Sequence, residues 1–210
     1  MSYNPKDAFY RKAKKEGYRS RAAYKLDEIN RRFDLVRPGD RVVDLGAAPG
    51  GWLQVLARSV GKSGKVVGID LQKMEAFKEP NVTLLEADIT AKGTAETIKG
   101  LLGSPADCVL SDLAPRLSGI RDADLSRSAE LVRSALQLSE SLLKSGGKLL
   151  VKTFQGGETD VLFAEIQKHF ASAQRTRPEA TRHGSSEIYF IARGFKPAAK
   201  PIDAAAFHQP

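Results

Sequence analysis

The stretch Val42-Val43-Asp44-Leu45-Gly46-Ala47-Ala48-Pro49-Gly50-Gly51-Trp52 runs from an apolar strand through a glycine-rich turn into the start of a helix. Glycines let a backbone come close to a ligand, and the free N–H groups of a helix start can then contact it. The spacing is G-x-x-P-G-G and not the G-x-G-x-x-G of nicotinamide dinucleotide sites, which disfavours an oxidoreductase of that type. Gly46, Pro49, Gly50, Gly51 and Trp52 are therefore the candidate cofactor contacts of this turn.

On either side, short β-branched runs alternate with helical patterns, the signature of a mainly parallel sheet covered by helices. Strands are expected at Arg41–Leu45, Lys65–Asp70, Val82–Glu86, Asp107–Ser111, Gly147–Phe154, Ala171–Arg177 and Glu187–Ala192. Helices are expected near 20–32, 50–59, 91–102, 124–144 and 157–169. About nine residues separate the last two strands, too few for a parallel crossover, so that pair should be antiparallel. The fold predicted is α/β and Rossmann-like: seven strands, mostly parallel with an antiparallel last strand, and helices on both faces. That is the class I methyltransferase variant of the architecture; dinucleotide-binding domains are normally all parallel.

Three acidic residues close successive strands: Asp70, Asp88 and Asp112. In open α/β sheets the ligand crevice lies at the carboxyl ends of the strands, so all three should point to one place. Asp70 is placed to accept hydrogen bonds from ribose hydroxyls and Asp88 from an adenine amino group, which suits an adenosyl cofactor. Each alone has a plainer explanation as a turn or helix-capping residue.

The chain has 210 residues, the size of one α/β domain. Its parts are read as a basic N-terminal arm and helix (1–37), a core domain (38–195) and a disordered Ala/Pro-rich tail (196–210). Cys108 is the single cysteine, so no internal disulfide or cysteine-rich metal site is possible. His169, His183 and His208 lack ligand spacing, and no metal is expected. No apolar run approaches the ~18–20 residues of a membrane span, and the basic N-terminus has no hydrophobic stretch behind it. A cytoplasmic monomer is the expectation.

Charge is unevenly spread. Residues 1–37 carry 11 Lys+Arg against 5 Asp+Glu, the middle is near neutral, and residues 168–210 carry 7 against 3. Basic ends around a neutral middle suit a phosphate backbone, whose counterions are released on binding. The candidates are Lys12, Lys14, Lys15, Arg19, Arg21, Arg31, Arg32, Arg175, Arg177 and Arg182, with Tyr10, Tyr18 and Tyr24 interleaved to stack on bases or to pack the arm. An anionic membrane is the weaker partner, because the arm has no bulky apolar face.

Charged residues also stand where a core would be apolar. Lys152 interrupts Leu149-Leu150-Val151 near the end of a central strand. A buried lysine is costly unless paired, and Asp112 at the end of the neighbouring strand is the evident partner. Glu187 opens the last strand in Ser185-Ser186-Glu187-Ile188-Tyr189, and Lys25 lies on the basic helix.

Taken together, these segments resemble the FtsJ/RrmJ family of RNA 2′-O-methyltransferases, whose signature is a Lys-Asp-Lys-Glu tetrad. The tetrad falls on Lys25 in RSRAAYKLDEI, Asp112 in SDLAP, Lys152 in VKTFQG and Glu187 in SSEIY, and DLGAAPGGW matches the family's cofactor loop. Ser186 departs from the bacterial ribosomal member, which has arginine there. The resemblance, over about residues 5 to 195, implies S-adenosyl-L-methionine as cofactor, with Gly50, Trp52, Asp70, Asp88 and Asp112 in contact with it. It further implies an enzyme acting on a uridine of large-subunit ribosomal RNA, with tRNA or an mRNA cap as alternative substrates. Lys152 would act as general base or orient the hydroxyl, with Lys25 easing its deprotonation and Asp112 and Glu187 holding the two ammonium groups. A non-catalytic RNA-binding module on the same fold is disfavoured by the intact tetrad.

Overall fold

The computed structural model describes residues 8–182 and 184–198; the start of the expected arm, most of the expected tail, His183 and His208 lie outside them. The described strands are β1 (Arg41–Leu45), β2 (Lys65–Asp70), β3 (Val82–Glu86), β4 (Ala106–Ser111), β5 (Leu143–Phe154), β6 (Phe170–Thr176) and β7 (Glu187–Phe195). The helices are α1 (Ala8–Lys15), α2 (Ala22–Phe33), α3 (Gly51–Val60), α4 (Thr94–Leu102), α5 (Arg121–Leu142) and α6 (Thr159–His169).

One seven-stranded sheet runs in the order β3-β2-β1-β4-β5-β7-β6. β1 through β5 pair in parallel, while β7 slots between β5 and β6 and runs antiparallel to both. The central strands are buried on both faces, which is why their sequences read as continuous apolar runs and do not alternate. On one face, α4, α5 and α6 cover Val43, Val67, Val109, Leu149 and Phe190. On the other, α2 and α3 cover Val42, Val66, Cys108, Leu150 and Tyr189.

Two differences from the sequence expectation have clear causes. The arm ahead of the expected helix holds a further one: α1 forms before α2 and is held there by burial of Ala13. The long helix ends at Leu142, two residues early, because Leu143 turns extended and pairs with Ala106. The chain then bulges before Lys148 pairs with Cys108. Asp107 fixes this start of β5 by binding the Lys144 ammonium and the Arg41 N–H. Cys108 is fully buried, and burial pushes its thiol up, as suits a small apolar filler.

Candidate active site

Sheet order puts the expected cofactor residues in one row. Asp88 after β3, Asp70 ending β2, the glycine turn after β1 and Asp112 after β4 lie at the carboxyl edge of four neighbouring strands. Between β1 and β4 the strand order reverses, the place where open α/β sheets open a crevice. Main-chain bonds knit the edge together. Gly46 N–H donates to the Ile69 carbonyl at 2.9 Å, and Asp112 N–H to the Leu45 carbonyl at 3.0 Å. Asp70 accepts from the Ala48 N–H at 3.0 Å and the Gln72 N–H at 2.8 Å. Asp88 is exposed; the Thr90 N–H and hydroxyl, both on one carboxylate oxygen, hold it below the usual carboxylate range.

The four tetrad residues come from α2, the β4 end, β5 and β7, and the fold gathers them into two pairs. Lys152 Nζ lies 3.0 Å from an Asp112 carboxylate oxygen and donates to the Asp112 carbonyl at 2.7 Å. Lys25 Nζ lies 2.5 Å from Glu187 Oε1. Lys25, Lys152 and Glu187 are all buried. Burial pushes the Glu187 carboxyl up, but the Lys25 ammonium, its hydrogen bond, the Tyr189 hydroxyl and Lys152 pull harder, leaving it below the ordinary glutamate range.

Sequence reasoning gave Tyr189 no role, yet it links the pairs. Its hydroxyl donates to Glu187 Oε1 and lies 3.3 Å from Asp112 Oδ1. Burial first, then the Asp112 and Glu187 carboxylates, push the phenol well up, so it stays a neutral donor. The period-2 signal was available: Glu187 and Tyr189 are two apart on one strand and share a face. Register completes the set by placing Tyr189 opposite Lys152 and Glu187 opposite Phe154.

Asp44 is the second residue missed. It is wholly buried on β1, and neither carboxylate oxygen has a hydrogen-bond partner. Burial, reinforced by Asp112 and Asp70, pushes its carboxyl well up. A buried carboxyl without a partner is expensive. A ligand with a positive group at this edge would relieve it, and S-adenosylmethionine carries a sulfonium and an ammonium; the donor set fits that cofactor. The glycines of the turn have protein neighbours too. At Gly50 (φ +108°) an added Cβ would come within 2.7 Å of the Phe77 ring, and at Gly51 within 2.1 Å of the Ser20 hydroxyl. The turn is thus narrow because the arm and the segment after β2 press on it. The Trp52 indole is buried, donates to the Ala22 carbonyl at 2.9 Å and sits 6.1 Å from the Tyr189 ring, so it braces α3 against α2 and the tetrad.

The basic residues divide likewise. Arg19 donates to the Glu75 and Ala76 carbonyls at 2.8 Å and lies 3.9 Å over the Phe77 ring, fastening the segment after β2 onto the glycine turn. Arg21 donates to the Ala180 carbonyl. Arg31 and Arg32 pair with Asp27 and Glu28 along α2, and Arg175 pairs with Asp160. Tyr18 and Tyr24 pack edge to face 5.3 Å apart, anchoring the arm. Lys14 and Lys15 are exposed.

Residues 18–195 match the family of FtsJ-like methyltransferases. The chain belongs to that family. It is therefore a methyltransferase with the Rossmann-like fold of the class. The ribosomal RNA large subunit methyltransferase E of Methanothrix thermoacetophila is 48% identical to it over 92% of this chain and 74% of that protein. The protein of the same name from Methanothermobacter thermautotrophicus is 46% identical over 91% of this chain and 90% of its own. A crystallised Plasmodium falciparum chain, described as a ribosomal RNA methyltransferase, superposes with a TM-score of 0.76 at 30% identity, covering 85% of this chain and 98% of that one. An S-adenosylmethionine-dependent O-methyltransferase from Thermotoga maritima (TM-score 0.55, 16% identity, 84% of this chain and 66% of that one) shares the fold alone.

Proposed function

We propose that this methyltransferase moves the methyl group of S-adenosylmethionine onto a ribose 2′-hydroxyl of RNA, with a uridine of large-subunit ribosomal RNA as the target. The observation that carries the reading is the Lys152 ammonium, buried on β5 beside the switch point and held by both the carbonyl and the carboxylate of Asp112. Its relatives' names supply the RNA class.

S-adenosylmethionine supplies an electrophilic methyl group when bound. Asp70 and Asp88 would hold its ribose and adenine, Gly46, Pro49, Gly50, Gly51 and the backbone of Trp52 would line its path, and Asp44 with Asp112 would face its positive end. A ribose hydroxyl is a weak nucleophile, so the chain's own task is to align it and accept its proton. An ammonium has three donors; on Lys152 one is bonded to the Asp112 carbonyl, the Asp112 carboxylate lies 3.0 Å away as its ion-pair partner, and a donor is left for the 2′-oxygen. Lys152 orients that oxygen and takes its proton where it meets the ribose as the free amine. Lys25 would stabilise negative charge developing there, and Glu187, which also accepts the Tyr189 hydroxyl, holds the Lys25 ammonium in position. The exposed lysines of α1 would meet backbone phosphates.

The test is methyl transfer from labelled S-adenosylmethionine to total RNA of a strain lacking the gene, with the product mapped by resistance to alkaline cleavage. One 2′-O-methyl signal in large-subunit ribosomal RNA, absent with Lys152→Ala, is the expected result. A signal in tRNA keeps the chemistry and replaces the substrate. No transfer to free RNA or to intact large subunits removes the proposal.

A further inference from the structure

Between Leu45 and Ile69 the chain carries Arg58, Lys62 and Lys65 and no acidic residue. The three cations stand near the end of α3, in the turn after it and at the start of β2. The fold brings them around one recess of about 520 Å³, closed on its other side by Glu79, Pro80 and Asn81 ahead of β3.

The floor of this recess is fixed. The Asn81 side-chain amide donates to the Ala57 and Gly61 carbonyls, both at 2.9 Å, so the entry to β3 is tied to the open end of α3. The Lys65 N–H donates to the Asp40 carbonyl at 3.0 Å, and an added Cβ at Gly64 would come within 2.7 Å of that same oxygen. The cations above it are unsatisfied. Lys12, Lys99 and Lys144 each have a carboxylate within 4.0 Å. Among the described residues, Lys62 and Lys65 have none.

The recess is one end of a longer basic row. Gln54 and Arg58, four apart, share a face of α3. Gln54 donates to the Gly17 carbonyl at 2.9 Å and accepts the Arg19 N–H at 2.7 Å, while Arg58 donates to the Tyr18 hydroxyl. The turn after α1 is thereby fastened along α3, which puts the exposed Lys14 and Lys15 at the other end of the row. The row lies on the sheet face covered by α2 and α3, the face that supplies Lys25. Its far end is remote from the chemistry: β2 runs from Lys65 to Asp70, so the recess lies about 17 Å from the cofactor edge. A membrane would find nothing apolar to bury there, because the exposed large hydrophobic residues are Leu71, Leu117, Ile120 and Val161.

Resting on the reading of RNA as substrate, we infer that the row from Lys14 and Lys15 through Arg58 to Lys62 and Lys65 is a second RNA-binding surface. It holds the phosphate backbone of the substrate at a distance from the nucleotide being methylated. Lys62 and Lys65 meet phosphates at the recess, and Glu79 in its wall accepts from a ribose 2′-hydroxyl. These contacts read no sequence; they add affinity and set the direction in which the RNA crosses the tetrad.

The test compares the unaltered protein with Lys62→Gln/Lys65→Gln and with Lys62→Arg/Lys65→Arg. Methylation is followed on large subunits from a strain lacking the gene, and binding is followed on the protein-free RNA of those subunits across a range of salt. The neutral pair should raise KM and Kd about 10-fold and flatten the slope of log affinity against log salt by about 1.5, the share of two phosphates. Turnover at saturating substrate and calorimetric cofactor binding should not change. The arginine pair should behave as the unaltered protein, with circular dichroism and thermal melting to verify that each variant folds. An unchanged KM and salt slope overturn the surface while leaving 2′-O-methylation standing. A loss on intact subunits without a loss on protein-free RNA means an acidic protein partner and overturns it as well. If the unaltered protein methylates neither substrate, the parent reading fails first and takes the surface with it.

Discussion

Lys25–Glu187 and Lys152–Asp112 use the same charges at separations of 2.5 and 3.0 Å, in different surroundings. In the first pair both side chains are nearly enclosed, 10% and 12% exposed, and Glu187 also accepts the Tyr189 hydroxyl. In the second, Asp112 is 20% exposed and holds Lys152 partly through its main-chain carbonyl. The first pair is closed and satisfied from within. The second faces the crevice at the switch point and keeps a donor available. On the proposed reading the same chemistry would serve as a fixed charge in one place and as a working group in the other, and the difference lies in what covers it.

Lys152→Ala should produce the largest effect. On the proposed role of Lys152 in orienting and deprotonating the hydroxyl, its loss should lower methyl transfer by about 10³-fold, with cofactor binding little changed by calorimetry. Residual activity within ten-fold of the unaltered protein would exchange the roles of the two pairs.

Lys25→Met comes next and should separate them by stability. It strands Glu187 in the interior, and breaking a buried pair from one side costs about 3 kcal/mol or more. Lys152→Met should cost less in the same denaturant titration, because water can reach Asp112. Adding Glu187→Leu to Lys25→Met should restore much of the stability and none of the activity. If both single variants destabilise equally, the contrast between closed and open pairs is wrong.

The pH dependence sharpens the same point. The Glu187 carboxyl sits below its ordinary value of about 4.3. Its stabilisation is therefore fully present above that value and lost as pH falls through the depressed one. The stability difference between the unaltered protein and Glu187→Gln should be flat from pH 7 to about 5, then close in more acid solution. A difference that instead grew with acidity would mean the carboxyl is raised in the folded protein.

Tyr189→Phe should be the mildest change. It removes one hydroxyl from a satisfied pair, worth about 1 kcal/mol, and should slow methyl transfer several-fold with the Lys25–Glu187 contact intact. A loss as large as that of Lys152→Ala would make the phenol itself a reacting group.

Much of this was legible beforehand because the signals were local. The strands, the antiparallel final hairpin and the glycine turn each follow from a few consecutive residues. A charge inside an apolar strand was enough to single out Lys152 and to name Asp112 as its partner, a pairing the structure shows. The same signal stands at Asp44, in Val42-Val43-Asp44-Leu45, where the glycine motif that follows masks it. Tyr189 carries no signal in the sequence beyond its place two residues after Glu187 on the same strand. Arg19 shows the limit of reading charge runs: it sits among phosphate-binding candidates, yet the fold uses it to clamp the segment carrying Phe77 onto Gly50.

The sequence by itself determined the alternation of strands and helices, the family and the four charged residues, since each depends on periodicity or on short segments in order. Only the tertiary structure decided which lysine meets which carboxylate, that one phenol bridges the pairs, and that the glycine turn is narrowed by the arm. Those contacts join residues up to 162 positions apart. They depend on sheet order and register, which place β7 beside β5 and α2 over the sheet's edge. No local propensity encodes that arrangement; burial of the two apolar faces selects it.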